Sequence, residues 1–186
     1  MATATGVLRQ EHQSIRAMLD FTEGVAGKMS RGEPVAPEML AKVMDFIRVF
    51  VDQCHHSKEE DVFFPMLEKK GIPASGGPLG VMLMEHDRAR SLIQGMSETA
   101  EAYQAGSQDS GEKWARIAWD YSDLMHDHFG KEEEVLFRMA DNVLSPEEQT
   151  AVAGAFELLE KEKIGPGRRE QLQTMMADLI SHNGRS

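Results

Sequence analysis

The chain has 186 residues, 41% of them apolar and 27% charged, with a formal net charge of −11, which is enough for one well-cored domain and short for two. The acidic balance disfavours nucleic acid or an anionic membrane as partner, and no run of about 18 apolar residues offers a membrane-spanning helix. A lone cysteine, Cys54, cannot form an internal disulfide, and the amino-terminal MATATGVLRQEH lacks the apolar core of a signal peptide; both suit a cytoplasmic location.

The periodicity predicts a first helix over residues 5–30, with Leu8, His12, Ile15 and Leu19 on one face. RGEPVAP (31–37) breaks it. A second helix over 38–70 carries the stripe Met44, Ile47, Val51, His55, Glu59, Val62 and Met66, and ends at GIPASGGP (71–78). The third, over 79–105, presents Leu79, His86 and Ile93. After GSQDSG (106–111), the fourth, over 112–142, presents Tyr121, Met125, His128, Glu132, Val135 and Met139. At 1.5 Å per residue each helix is roughly 40–50 Å long, and short connections make an all-α, antiparallel up-down four-helix bundle over 1–144 the economical fold.

Ser145-Pro146-Glu147-Glu148 reads as a capping box opening a fifth helix, with Val152, Phe156 and Leu159 on one face. Ile164-Gly165-Pro166-Gly167 ends it, and a last helix carries Leu172, Met175 and Leu179. This extension, 145–186, is expected to cover the bundle or to form an interface in a homodimer. It holds no cluster of ligand-type residues.

The bundle contains an internal repeat. Glu11-His12-Gln13-Ser14-Ile15-Arg16 and Glu85-His86-Asp87-Arg88-Ala89-Arg90 both read E-H-x-x-x-R. His55 to Phe64 and His128 to Phe137 both read H-x-x-K-E-E-x-V-x-F. His12 and His55 are 43 residues apart, His86 and His128 are 42 apart. In that register His55 matches His128 and Glu59 matches Glu132, whereas His56 falls opposite Phe129 and His126 opposite Gln53. Helical faces agree, since residues four apart stack. His55 and Glu59 join the apolar stripe. His56 stacks with Asp52 and Glu60, on a flank expected to be solvated.

His12, His55, Glu59, His86, His128 and Glu132 thus lie on the inward faces of the four helices. Burying two carboxylates unpaired would cost several kcal/mol, and no lysine shares those stripes. A metal resolves the problem, because a cation takes carboxylate and neutral imidazole together.

On these residues the chain resembles the hemerythrin-like, or HHE cation-binding, family, over about 5–142. The resemblance rests on His12, His55-x-x-x-Glu59, His86 and His128-x-x-x-Glu132, and on the EExxFFP and EExxLF tails that follow each glutamate. It implies a non-haem di-iron centre: two iron ions with a bridging oxygen, Glu59 and Glu132 spanning both irons, His12 and His55 on one, His86 and His128 on the other. The oxygen carriers of the family use five histidines, with a His-x-x-x-His pair on the third helix. Here Met82 and Arg90 flank His86 at those spacings. About one open position per iron is therefore expected, which turns the reading from a reversible oxygen carrier toward binding or reducing oxygen, nitric oxide or peroxide.

An iron sensor, store or donor of the iron-centre repair type is the alternative, as is a structural bundle holding zinc or manganese. Ferritin-like oxidases, built on Glu-x-x-His with glutamates in excess, are disfavoured. Arg16 and Arg90 are candidates to pair carboxylates behind the ligands, and Glu11 and Glu85 to act as supporting or auxiliary ligands. Tyr121 is a candidate hydrogen-bonder near the site, and Cys54 a buried apolar-like residue rather than a redox thiol.

Overall fold

The computed structural model describes residues 2–183. Four long helices form the bundle: α1 (Ala4–Ser30), α2 (residues 37–69), α3 (Pro78–Gln104) and α4 (residues 110–143). The extension adds α5 (Pro146–Lys163) and α6 (Arg168–Asn183). No strand occurs among the described residues. The all-α bundle expected from the sequence is the fold observed.

Local chemistry sets the helix ends. Thr3 caps α1 by accepting from the Gly6 N–H at 3.1 Å, and Pro37 and Pro78 stand in the first turns of α2 and α3, where a missing N–H costs nothing. At the end of α1, Gly32 takes φ +71°, its N–H reaches Met29 O, and the Glu33 N–H reaches Lys28 O. A side chain is strained at that angle, so glycine stops the helix. Gly71 does the same after α2.

The helices run antiparallel. Thr5, at the start of α1, donates to Asp141 at the end of α4 (2.8 Å). The Tyr103 hydroxyl, at the end of α3, meets Val35, just ahead of α2. Two apolar plugs fill the bundle. One joins Ile15, Leu19, Phe46, Phe50, Trp114 and Phe129, and the other joins Leu8, Phe63, Leu67, Leu79, Leu136 and Phe137. Between them lies a buried polar layer.

The extension packs on the bundle. Phe156 and Val152 of α5 enter the second plug, Leu172 of α6 enters the first, and Arg168 binds both oxygens of Asp45. The capping box is present: Ser145 Oγ accepts from the Glu148 N–H at 3.2 Å, and Glu148 accepts from the Ser145 N–H at 3.0 Å.

Helices α2 and α4 depart from ordinary α geometry. Phe46–His56 and Glu59–Phe63 in α2, and Glu132–Leu136 in α4, are π-helical. The wider i→i+5 turn carries one more residue past each face. Beyond Glu59 and Glu132 the core residues are therefore Phe63, Leu67, Leu136 and Phe137, whereas Val135, expected on the inner stripe, is 47% exposed. Val62, Met66 and Met139 are only partly buried.

Candidate metal centre

The polar layer joins one histidine from each odd helix and a histidine-glutamate pair from each even one. His12, His55, Glu59, His86, His128 and Glu132 are all fully buried, and the structure brings them together. Their donor atoms form two groups, each within 4.8 Å: His12, His55, Glu59 and Glu132, then Glu59, His86, His128 and Glu132.

The carboxylates are divided between the groups. Glu59 turns Oε1 toward His55 Nε2 (3.6 Å) and Oε2 toward His86 Nε2 (3.4 Å). Glu132 turns Oε2 toward His12 Nε2 (3.2 Å) and Oε1 toward His128 Nε2 (3.5 Å). Adjacent ligands about 2.1 Å from one ion lie about 3 Å from each other, so these spacings suit two cations side by side.

Every Nδ1 is engaged on the far side of its ring. His55 donates to Glu11 (3.0 Å), His128 to Glu85 (3.0 Å), His12 to Glu133 (2.8 Å) and His86 to Glu60 (2.6 Å). An ionised carboxylate only accepts, so a proton sits on each Nδ1, and Nε2 is left as the nitrogen turned inward that a cation would take. His86 Nε2 and His128 Nε2 lie 3.2 Å apart in this arrangement. Two bare lone pairs at that distance repel unless a proton or a cation lies between them.

The repeat now has a physical account. Arg16 donates to Glu133 (3.0 Å) and Arg90 to Glu60 (2.7 Å), while Lys58 donates to Glu11 (2.5 Å) and Lys131 to Glu85. Apart from the central glutamates, each glutamate of E-H-x-x-x-R and H-x-x-K-E-E backs an imidazole, and each arginine or lysine holds one of those glutamates. Such partners fix ring orientation and raise ligand basicity.

Electrostatics agree with the donor set. Burial and the nearby Glu132 charge push Glu59 far above the usual carboxylate range. Burial opposes ionisation of Glu132 as well, but His128 and His12 hold it below that range. Without a cation, two such carboxylates cannot both ionise comfortably. Burial brings His55 down to about 4, which keeps that ring neutral, as ligation requires, whereas for His12 the bonds to Glu132 and Glu133 outweigh burial and raise it, so a cation there would have to displace a proton. Among the described residues, both oxygens of Glu59 and of Glu132, and the Nε2 atoms of His12 and His55, have no hydrogen-bond partner.

Two expectations need correction. His56 is fully buried, not solvated, because its flank of α2 faces α3: its ring stacks on His86 at 4.0 Å and 17°. Asp52 and Glu60, on the same flank, both bind Arg90. A sequence signal existed, since the counterpart of His56 in the repeat is the apolar Phe129. Tyr121 is buried, but its hydroxyl has no partner among the described residues. The extension also supplies polar groups to the layer's edge: Glu160 accepts from Lys58 (2.6 Å), and Arg169 Nε lies 3.6 Å from Glu11. Cys54 is buried beside this cluster, 3.7 Å from Glu160, and burial pushes its thiol up to about 12.

Comparison with known proteins gives an independent view. The family described as Hemerythrin HHE cation binding domain matches residues 3–140. An uncharacterized protein of Mycobacterium tuberculosis is 26% identical over 178 residues, covering 95% of this chain and 69% of that protein. The iron-sulfur cluster repair protein DnrN of Neisseria gonorrhoeae is 26% identical over 141 residues, 73% of this chain and 88% of its own. The iron-sulfur cluster repair protein YtfE of Cronobacter sakazakii is 34% identical over 67 residues, 36% of this chain and 30% of its own. No solved structure matches the chain. Among the described residues, no helix is long and apolar enough to cross a membrane.

Proposed function

The chain belongs to the hemerythrin HHE cation binding domain family, and from that premise we propose that it is a non-haem di-iron protein that binds and reacts with a small ligand: oxygen, nitric oxide or peroxide. The observation that carries this reading is the division of each carboxylate between two histidine pairs, Glu59 between His55 and His86, Glu132 between His12 and His128. Glu59 and Glu132 would serve both irons, with His12 and His55 holding one and His86 and His128 the other. Iron supplies redox chemistry and positions for a small ligand. The protein's own part is to hold four neutral imidazoles in fixed tautomers through Glu11, Glu60, Glu85 and Glu133, and to keep the layer dry between two apolar plugs.

A second reading, an iron donor in the repair of iron-sulfur centres, is favoured by the likeness to two iron-sulfur cluster repair proteins. Iron content and the visible spectrum of the reduced protein, with and without oxygen and nitric oxide, test the first reading. A colourless protein retaining a single zinc after iron loading would rule it out. Transfer of iron to an apo iron-sulfur protein, at a rate above that of free ferrous iron, would select the second.

A further inference from the structure

The repeat that builds the site is broken at one position. His56 and Phe129 correspond, both are fully buried, and each lies flat against the histidine of a neighbouring odd helix. Phe129 covers His12 (ring centroids 4.1 Å, interplanar angle 30°), and His56 covers His86 (4.0 Å, 17°). One half therefore has a hydrocarbon ring in this place and the other has an imidazole. His55 and His128 are its other ring neighbours, 5.7 Å and 6.0 Å away.

Neither ring nitrogen of His56 has a hydrogen-bond partner. Asp52 Oδ1, 3.5 Å from Nδ1, lies beyond good hydrogen-bond range and is already bound by Arg90 at 2.8 Å. A buried polar atom left without a partner costs about 1–3 kcal/mol, and a phenylalanine at this position would have avoided that cost, as Phe129 does in the other half. One His56 nitrogen lies within 4.8 Å of the donor atoms of His86 and His128, which makes a group of three imidazoles.

We infer that His56, its ring turned off the face of His86, is a third imidazole ligand to the metal held by His86 and His128, so that the two metal positions are chemically unequal and the small ligand enters at the other one. The inference rests on the di-iron reading. With Glu59 and Glu132 spanning both ions, the His86 side has three nitrogens and two carboxylate oxygens, the His12 side two and two. An iron takes about six ligands, so a shared oxygen bridge fills the first and leaves one position on the second. That position adjoins Phe129, whose ring lies on His12 and meets His55 edge-on at 6.0 Å and 79°.

The test uses the whole protein loaded with 57Fe. Wild type should hold two irons, show two Mössbauer doublets of equal area, and respond to azide at only one of them. His56→Phe copies the other half and should keep the fold, checked by circular dichroism of the metal-free protein. It should bring the doublets together, open both to azide, and weaken one iron at least about 10-fold in chelator competition. Phe129→His is the converse: it should keep both irons and lose azide binding. Unchanged doublets and iron affinity in His56→Phe, or unchanged azide binding in Phe129→His, would overturn the inference while leaving the di-iron reading intact. A wild-type protein holding fewer than two irons would overturn both.

Discussion

Glu60 accepts a hydrogen bond from His86 Nδ1 at 2.6 Å, across the α2–α3 interface, and Arg90 holds the same oxygen at 2.7 Å. In the other half, Glu133 does this for His12 and Arg16. The second glutamate of each K-E-E run thus braces a ligand contributed by a different helix. Removing such a partner costs about 10–100-fold in metal affinity. Glu60→Ala and Glu133→Ala should each fall in that range by chelator competition, with the exposed Glu134→Ala as the neutral control. Wild-type affinity in Glu60→Ala would show that the bond does not orient His86.

Direct ligands should matter more. His55→Ala removes one imidazole from one ion, whereas Glu59→Ala removes a carboxylate facing both histidine pairs. Iron per chain should fall in the first and further in the second. Because metal binds the folded state, iron should also raise the melting temperature of wild type, by linkage worth about 2.7 kcal/mol at 100 times the dissociation constant. Equal melting temperatures with and without iron would place the ion outside the bundle.

The bundle, the internal repeat and the capping box at Ser145 were legible because they rest on local rules: helical period, turn residues, and reach within three residues. His56 and Val135 were misplaced for one shared reason. The 3.6-residue period was carried through segments that are π-helical, and nothing in the composition of Phe46–His56 announces a wider turn. Lys58 was legible only as a repeated letter. Its burial depends on Glu160 and Arg169, more than 100 residues away, and long-range pairing of this kind leaves no period to read.

Glu11 provides a pH dependence. Burial opposes its ionisation, but the bonds from His55 and Lys58 lower it from 4.5 to about 2. A depressed carboxylate stabilises the fold above its unfolded value and loses that contribution as pH falls toward the folded one. In metal-free protein this group should contribute about 3 kcal/mol above pH 4.5, lost between there and pH 2. Glu11→Gln should flatten that part of the stability profile measured by urea denaturation. An identical acid limb in the variant would mean that other carboxylates govern it.

Cys54 is buried, and burial, then the Glu11 charge, raise its thiol to about 12. The thiolate is the reactive form, so a folded protein at pH 8 should label negligibly with iodoacetamide and fully after denaturation. Rapid labelling of the native chain would show that the α2–α5 contact opens readily.

Lys58 and Lys131 occupy the same place in the repeat, each donating to the glutamate behind a histidine, yet their settings differ. Glu160 and Arg169 of the extension close over Lys58, which is 1% exposed, whereas Lys131 is 44% exposed. Removing one partner of a buried pair leaves the other charge stranded and costs about 3–5 kcal/mol. An exposed pair is screened by water and contributes about 0–1 kcal/mol. Lys58→Ala should therefore destabilise the metal-free protein several times more than Lys131→Ala, in urea denaturation at pH 7. Removing the cover should narrow the gap: in a Glu160→Ala, Arg169→Ala background, water reaches Glu11 and the Lys58→Ala cost should fall. If the cost is unchanged there, the bundle alone buries the pair and the extension adds nothing to it.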